Sequence, residues 1–187
     1  MIFSQFMKYL ALLRGINVGG NNIIKMVDLK LCFEELGYTE VTTYIQSGNV
    51  LFSSKSRSIN KIVADLQSAL SKRFNYNSQV VALNKTQFAQ VMTGVPSGYG
   101  TKPDTFRYDV IFVKAPLTAN KALRELPMKA GVDNATAGKH ALYFWRVKGK
   151  ESQSNLSKIV QLKLYKQVTI RNWNTTSKLW ELMNAER

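Results

Sequence analysis

The sequence predicts an α+β fold that contains two similar halves in tandem. The order strand, helix, strand, strand, helix, strand occurs twice, and a Gly- and Pro-rich stretch separates the two copies. With 45% hydrophobic and 20% charged residues, the chain has enough apolar material to fold around a core. Each half is therefore expected to be a ferredoxin-like split βαβ sandwich with an antiparallel sheet.

The first half begins with a short apolar run, Tyr9 to Leu13, which is typical of a central strand buried on both faces. Residues 40–54 predict two strands joined by the turn 46–49, because β-branched and aromatic residues flank it. A second helix is expected across 59–70 and a fourth strand across 78–84. Apolar residues at helical spacing predict the first helix, which Gly37 ends: Met26, Leu29, Phe33 and Leu36.

The second half repeats this order after residues 94–105, which are expected to be a linker. A short helix at 86–92 leads into the linker. The expected domains are residues 7–93 and residues 106–187. Within the second domain, strands are predicted at 107–113, 131–137, 141–147 and 167–173, with helices at 120–126, at 155–164 and from Thr175 onwards.

The net charge of the chain is strongly positive, with 26 Lys and Arg against 12 Asp and Glu, or +14. Such a charge attracts polyanions over about 10 Å at moderate salt. Two interpretations stay open: a solubilising surface, or a surface that binds nucleic acid or another anionic partner.

The single cysteine, Cys32, excludes an intramolecular disulfide, and the single histidine, His140, excludes a histidine-rich metal site. We therefore expect no metal and no cofactor.

The opening segment does not predict a secretory leader, because its apolar run is short and Arg14 interrupts it. Nor does any later window approach the ~20 apolar residues of a membrane span. A cytoplasmic location, without membrane contact, is the expectation.

The stretch RGINVGGNN, residues 14–22, follows the first strand at the place where nucleotide-binding proteins have glycine loops. Gly15 and Gly20 have the Walker spacing, but the lysine that should follow is absent. The glycines at 15, 19 and 20 do not fit a dinucleotide fingerprint either. Two interpretations remain: the glycine N–H groups bind an anion, or the loop only makes a tight corner.

The split βαβ topology brings this loop close to the turn at 46–49, because the first and third strands are neighbours. Together they form a composite corner with polar side chains and glycine-freed N–H groups. Its candidate binding residues are Arg14, Asn17, Gly19, Gly20, Asn21, Gln46, Ser47 and Asn49.

A second group of candidate binding residues follows the last predicted strand in VTIRNWNTTSKLW: Arg171, Asn172, Trp173 and Asn174. An Arg, an Asn and a Trp at one strand end could stack a base and contact a phosphate. The same residues could instead cap a helix and bury a tryptophan. No catalytic residue is predicted, because no nucleophile, base or carboxylate pair has suitable neighbours, and enzymatic activity is left open.

Four segments resemble, in order and spacing, the bacterial domain-of-unknown-function family sixteen ninety-seven: ALLRGINVGGNN, KMVDLKLCFEELG, TYIQSGNVLF and TIRNWNTTSKL. The resemblance spans about Lys8 to Leu182, and it implies an α+β fold with two ferredoxin-like halves and no established activity. Family members tend to begin near Met7, so residues 1–6 are expected to be an extension or an upstream start. The motif positions that it carries over are Arg14, Gly15, Asn17, Gly19, Gly20, Gln46, Ser47, Gly48, Asn49, Arg171, Asn172, Trp173 and Asn174.

The sequence departs from the family at one place, where Ser154, Asn155 and Leu156 stand instead of a Ser-Lys-Leu run. The favoured hypothesis is a non-catalytic, basic, cytoplasmic binding protein with an anionic partner, for which nucleic acid is the simplest choice. The alternative is a binder or enzyme for a small anionic or phosphorylated metabolite at the corner 14–22 and 46–49. A third hypothesis is an interaction domain that assembles through sheet edges.

Overall fold

The computed structural model describes residues 6–185, so most of the expected extension, residues 1–5, lies outside the described residues. The chain divides into two compact units: unit 1 extends to Phe88 and resumes at Glu181, and unit 2 is Ala89–Trp180. Among the helices of the described part, none is long and apolar enough to cross a bilayer.

Unit 1 is a four-stranded antiparallel sheet with two helices. The strand order is β2-β3-β1-β4, so β1 is central and pairs on both sides. Tyr9, Ala11 and Leu13 of β1 alternate onto the core face, where they meet the apolar stripes of the helices. The elements of this unit are β1 (Met7–Leu13), α1 (Met26–Glu35), β2 (Thr39–Tyr44), β3 (Asn49–Ser54), α2 (Ile59–Phe74) and β4 (Val80–Asn84).

Unit 2 repeats the arrangement, with strand order β6-β7-β5-β8 and antiparallel pairing throughout. The predicted α+β class with two ferredoxin-like halves is therefore confirmed. The remaining elements are α3 (Lys85–Thr93), β5 (Phe106–Val113), α4 (Ala119–Glu125), β6 (Asp133–Ala137), β7 (Ala141–Val147), β8 (Val168–Asn172) and α5 (Trp173–Asn184).

The predicted helix at 155–164 is wrong, because this segment forms short 3-10 turns at Glu151–Gln153, Leu156–Gln161 and Lys163–Gln167. Four residues that pack on the core recur every three positions, Leu156, Ile159, Leu162 and Tyr165, and Leu164 is buried in the same core. A spacing of three matches the 3-10 helix, in which residues i and i+3 eclipse. Leu162 itself has extended dihedral angles, which separates the turns.

The last strand also ends one residue earlier than predicted, because Asn172 caps the helix that follows. Its side-chain Oδ1 accepts a hydrogen bond from the Thr175 N–H at 2.7 Å, which satisfies one of the free N–H groups of the first turn. Trp173 therefore begins α5 instead of ending a strand.

Residues 94–105, the expected linker, lie within unit 2 and include a buried side chain. Tyr99 is 8% exposed, and its hydroxyl donates a 2.8 Å hydrogen bond to the carbonyl of Asp109 in β5. The segment is thus held on the sheet of its own unit, and the exact limits of the two domains stay a prediction.

Candidate functional site

The two loops of the composite corner in unit 1 meet as the topology predicts. Leu13 donates its backbone N–H to the Gly48 carbonyl at 2.8 Å, and the Asn17 amide donates to the Gln46 carbonyl at 2.9 Å. A side chain at Gly48 would lie 2.8 Å from atoms of both Leu13 and Ile16, so glycine permits this close approach. Gly19 and Gly20 supply further left-handed positions in the loop.

The asparagines of this corner are engaged with nearby backbone. Asn17 Nδ2 also donates to the Ile24 carbonyl, and Asn17 Oδ1 accepts from the Ile24 N–H at 2.8 Å. Asn22 donates to the Gly15 carbonyl at 2.8 Å, and Asn21 donates more weakly to Gly19 at 3.4 Å. These bonds shape the loop, and Asn17 uses both hydrogens of its amide in them.

Three further residues of the corner also bond to nearby groups of the chain. Asn49 is fully buried, and its amide donates to the Tyr44 carbonyl and to the Ser47 hydroxyl. The backbone N–H of Arg14 donates to the Gln79 carbonyl at 3.0 Å. The geometry of the corner therefore favours its structural interpretation.

The second group of candidate binding residues, 171–174 in unit 2, contains one buried arginine and three residues that line a cavity. Arg171 is 9% exposed, and its Nη1 donates to Thr169 Oγ1 and to the Ile170 carbonyl. Burial lowers the pKa of its guanidinium to about 10, because the charged form loses water. Asn172, Trp173 and Asn174 instead line a cavity of about 320 Å³.

This cavity, which we call the Asp109 cleft, opens where β5 extends beyond β8. Their pairing runs from Val113 opposite Val168 to Asp109 opposite Asn172, where β8 ends. Residues 106–108 of β5 consequently have no β8 neighbour. The residues that line the cleft are Gly100, Pro103, Phe106, Arg107, Tyr108, Asp109, Arg146, Asn172, Trp173 and Asn174.

An ion pair lies in the lining of the Asp109 cleft, with Arg146 Nη2 3.3 Å from Asp109 Oδ2. The two side chains are only 24% and 13% exposed. Burial raises the pKa of the Asp109 carboxyl, and the positive charge of Arg146 opposes part of that increase. Within residues 6–185, Asp109 Oδ2 and Arg146 Nε are buried and have no partner in hydrogen-bond geometry, although Asp109 Oδ2 is in the ion pair. Such atoms are rare in folded proteins.

A third charged side chain, Arg107, gives the lining a positive balance. Arg107 is register partner to Arg146, and its Nε is 3.4 Å from the Glu151 carboxylate at the surface. Two arginines and one carboxylate line the cleft, so its lining carries about one positive charge when Asp109 is ionised.

The sequence interpretation missed Asp109, Arg107 and Arg146, although a signal was present. Ile111 and Val113 of β5 face the helices, and side chains alternate along a strand. Arg107 and Asp109 share that parity, and so does Arg146 with Leu142 and Phe144 in β7. Charged residues at core-facing positions of two neighbouring strands are unusual and could have marked the site.

Cys32 and His140 lie outside both candidate groups. Cys32 is buried, and the loss of solvation raises the pKa of its thiol. The His140 ring is 2.8 Å from the Gln90 side-chain oxygen, and burial together with Lys139 lowers its pKa. Across the described residues, no group of three His, Cys, Asp or Glu side chains is arranged to hold a metal ion.

Comparison with known proteins identifies a family and a similar structure. A family model described as "Protein of unknown function (DUF1697)" matches residues 7–143, which confirms the predicted family. The solved structure of the conserved bacterial protein SP0830 from Streptococcus pneumoniae is similar, with a TM-score of 0.82 and 24% identity. The match covers 96% of this chain and 99% of that chain. With 24% identity, it shows that the two proteins share a fold. No curated protein matches the chain.

Proposed function

We propose that this chain, which belongs to the DUF1697 family of proteins of unknown function, binds a small anionic ligand in the Asp109 cleft. The observation that carries the proposal is that Arg107 and Arg146 both line this cavity, beside the ion pair that Arg146 makes with Asp109. The two arginine side chains are 56% and 24% exposed, so an anionic ligand can accept charge-assisted hydrogen bonds from them.

The size and the chemistry of the cleft support the same ligand class. Its volume of about 320 Å³ lies at the lower end of the range for small-molecule sites, roughly 300–1,000 Å³. The planar guanidinium group presents a fork of N–H donors that matches pairs of oxygen atoms in carboxylates and phosphates. The net charge of +14 favours the approach of such anions from solution.

Of the residues predicted from sequence, we assign Asn172, Trp173 and Asn174 to binding, since they line the cleft. The composite corner receives a structural role in this proposal, because its asparagine amides bond to nearby carbonyl groups. A cytoplasmic location remains part of the proposal and rests on the single cysteine of the sequence.

Nucleic acid is the second candidate partner, and the net charge is the observation in its favour. Five exposed lysines follow one another within residues 148–166: Lys148, Lys150, Lys158, Lys163 and Lys166. If they contact phosphates, the affinity for a single-stranded oligonucleotide must fall steeply between about 50 and 200 mM salt. A salt-independent affinity, or no binding at low salt, would contradict this candidate.

The proposed function is tested by calorimetry, with ribose 5-phosphate titrated into the unaltered protein and into two variants, Arg107→Gln and Arg124→Gln. Both variants lose one positive charge from unit 2, but Arg124 lies exposed at the end of α4 and not in the cleft. A hydrogen bond to a charged group contributes about 1.5–3 kcal/mol, so Arg107→Gln should bind about 10-fold more weakly or worse. Arg124→Gln should bind like the unaltered protein.

Equal affinities for the two arginine variants would refute the proposal, since the long-range charge effect is the same in both. Folding is checked by thermal unfolding, and a surface ion pair such as Arg107–Glu151 contributes only about 0–1 kcal/mol. Arg107→Gln should therefore remain folded.

A further inference from the structure

A second cavity, of about 240 Å³, shares the side chains of Phe106 and Tyr108 with the Asp109 cleft. Trp145 also lines it, and the three rings are partly exposed. Lys102 is the charged residue among its lining side chains. We call this second space the aromatic cavity.

The rings of the aromatic cavity are held in place by their neighbours. Tyr108 and Trp145 are direct partners in the β5–β7 ladder, so they lie side by side on one face of the sheet. The buried Tyr99 ring packs edge-on against both, at centroid distances of 4.8 Å and 5.9 Å. The Tyr108 hydroxyl in turn accepts a hydrogen bond from the Lys102 N–H at 3.2 Å. Rings fixed in this way lose little freedom when a ligand binds.

The composition of the aromatic cavity selects among ligands. A cation would favour aromatic faces, but the cavity has a lysine and no carboxylate in its lining. A flat ring that is neutral or electron-rich suits this lining, because it can stack on the aromatic side chains and is not repelled by the lysine.

We propose that the aromatic cavity binds a nucleobase, so that the ligand of the Asp109 cleft is a nucleotide unit whose phosphate contacts the arginines. This inference rests on the proposed function and specifies its ligand class. The phosphate-binding Arg107 lies between Phe106 and Tyr108 on β5, one strand step of about 3.3 Å from each.

The free edge of β5 explains how one ligand reaches both spaces. Side chains at 106 and 108 point to one face and those at 107 and 109 to the other. Beyond Asn172 no β8 residue covers this edge, and Phe106 and Tyr108 accordingly line both cavities. A nucleotide lying along the edge places its base on one side and its phosphate on the other.

The test compares three probes by calorimetry: adenosine 5′-monophosphate, ribose 5-phosphate and adenosine. Each is titrated into the unaltered protein and into Trp145→Leu, Trp145→Phe and Arg107→Gln. Base stacking predicts that adenosine 5′-monophosphate binds about 10-fold more tightly than ribose 5-phosphate. Trp145→Leu should remove that advantage and leave ribose 5-phosphate binding unchanged, whereas Trp145→Phe should keep much of it.

The outcomes separate this inference from the proposed function. If ribose 5-phosphate binds as tightly as the nucleotide and Trp145→Leu has no effect, the nucleobase site is refuted and the anion site stands. If adenosine binds as tightly as the nucleotide and Arg107→Gln has no effect, the anion site is refuted instead. Binding of none of the probes at millimolar concentration refutes both. Unchanged ribose 5-phosphate binding by Trp145→Leu also shows that this variant is folded.

A single-stranded oligoadenylate distinguishes the two sources of a nucleotide unit. If the natural ligand is a strand, the oligomer binds more tightly than the monophosphate and its affinity falls steeply with salt. If the ligand is a free nucleotide, the oligomer has no advantage over the monophosphate. Either result supports the nucleobase site only when Trp145→Leu weakens the binding.

Discussion

Gly100→Ala tests how the tryptophan of the Asp109 cleft is held. Gly100 has a φ of +81°, and a Cβ there would lie 2.8 Å from Trp173 Cδ1 and closer still to Nε1. The indole would have to move. Gly149 is a matched control, because its φ is +82° and an added Cβ would have no atom within 4 Å.

The expected magnitudes follow from this difference. Alanine in a left-handed conformation costs about 1 kcal/mol of unfolding free energy, which is the full expected effect of Gly149→Ala. Gly100→Ala adds an overpacking cost of about 1–3 kcal/mol. For a chain of this length, each kcal/mol lowers Tm by roughly 2–4 °C.

The assay is a denaturant titration followed by circular dichroism and tryptophan fluorescence, with ribose 5-phosphate affinity measured on each folded variant. We expect Gly100→Ala to be the less stable variant and to weaken ligand binding, because Trp173 lines the cleft. If both alanine variants lose the same stability to within about 0.5 kcal/mol, the Trp173 indole does not pack on Gly100 in the folded protein.

Three further substitutions test single features of the structure. Asn17→Ala removes three hydrogen bonds and should cost about 2–4 kcal/mol, whereas Asn21→Ala should cost under about 0.5 kcal/mol; equal losses in denaturation would contradict this. Burial raises the pKa of Asp109 in the folded state. The stability that this group contributes is therefore complete when the pH is below 3.8, its pKa in the unfolded chain, and is lost as the pH rises through its pKa in the folded protein. Asp109→Asn should remove that decline from the pH profile of unfolding, and an unchanged profile would refute the assignment. Asn172→Ala should cost about 0.5–2 kcal/mol through loss of the helix cap, while Asn172→Asp keeps an acceptor and should cost less; equal costs would mean that the cap contributes nothing.

The fold was predictable because its signals are local. Tyr9 to Leu13 form a continuous apolar run, and β1 proves to be a central strand with neighbours on both sides. The segment 155–164 was wrongly predicted as an α-helix because an apolar spacing of three is close to the period of that helix. Only its packing on the core of unit 2 distinguishes a 3-10 helix from an α-helix here.

The candidate site was predictable only in part. Asn172, Trp173 and Asn174 form a motif that is visible in the sequence, and they line the cleft. Asp109 and Arg146 lie 37 positions apart in the chain, and their meeting depends on the pairing of β5 with β7. In the composite corner the sequence placed the right loops together, but the bonding of their amides could be seen only in three dimensions.

The sequence by itself determined the strand and helix order, the two-fold repetition and the family, since periodicity and motif words act over short distances. The tertiary structure alone decided where the Asp109 cleft lies. It ended β8 at Asn172, left an edge of β5 open, and buried an ion pair beside that edge. These features depend on strand register and on the relative lengths of paired strands, which no local pattern specifies.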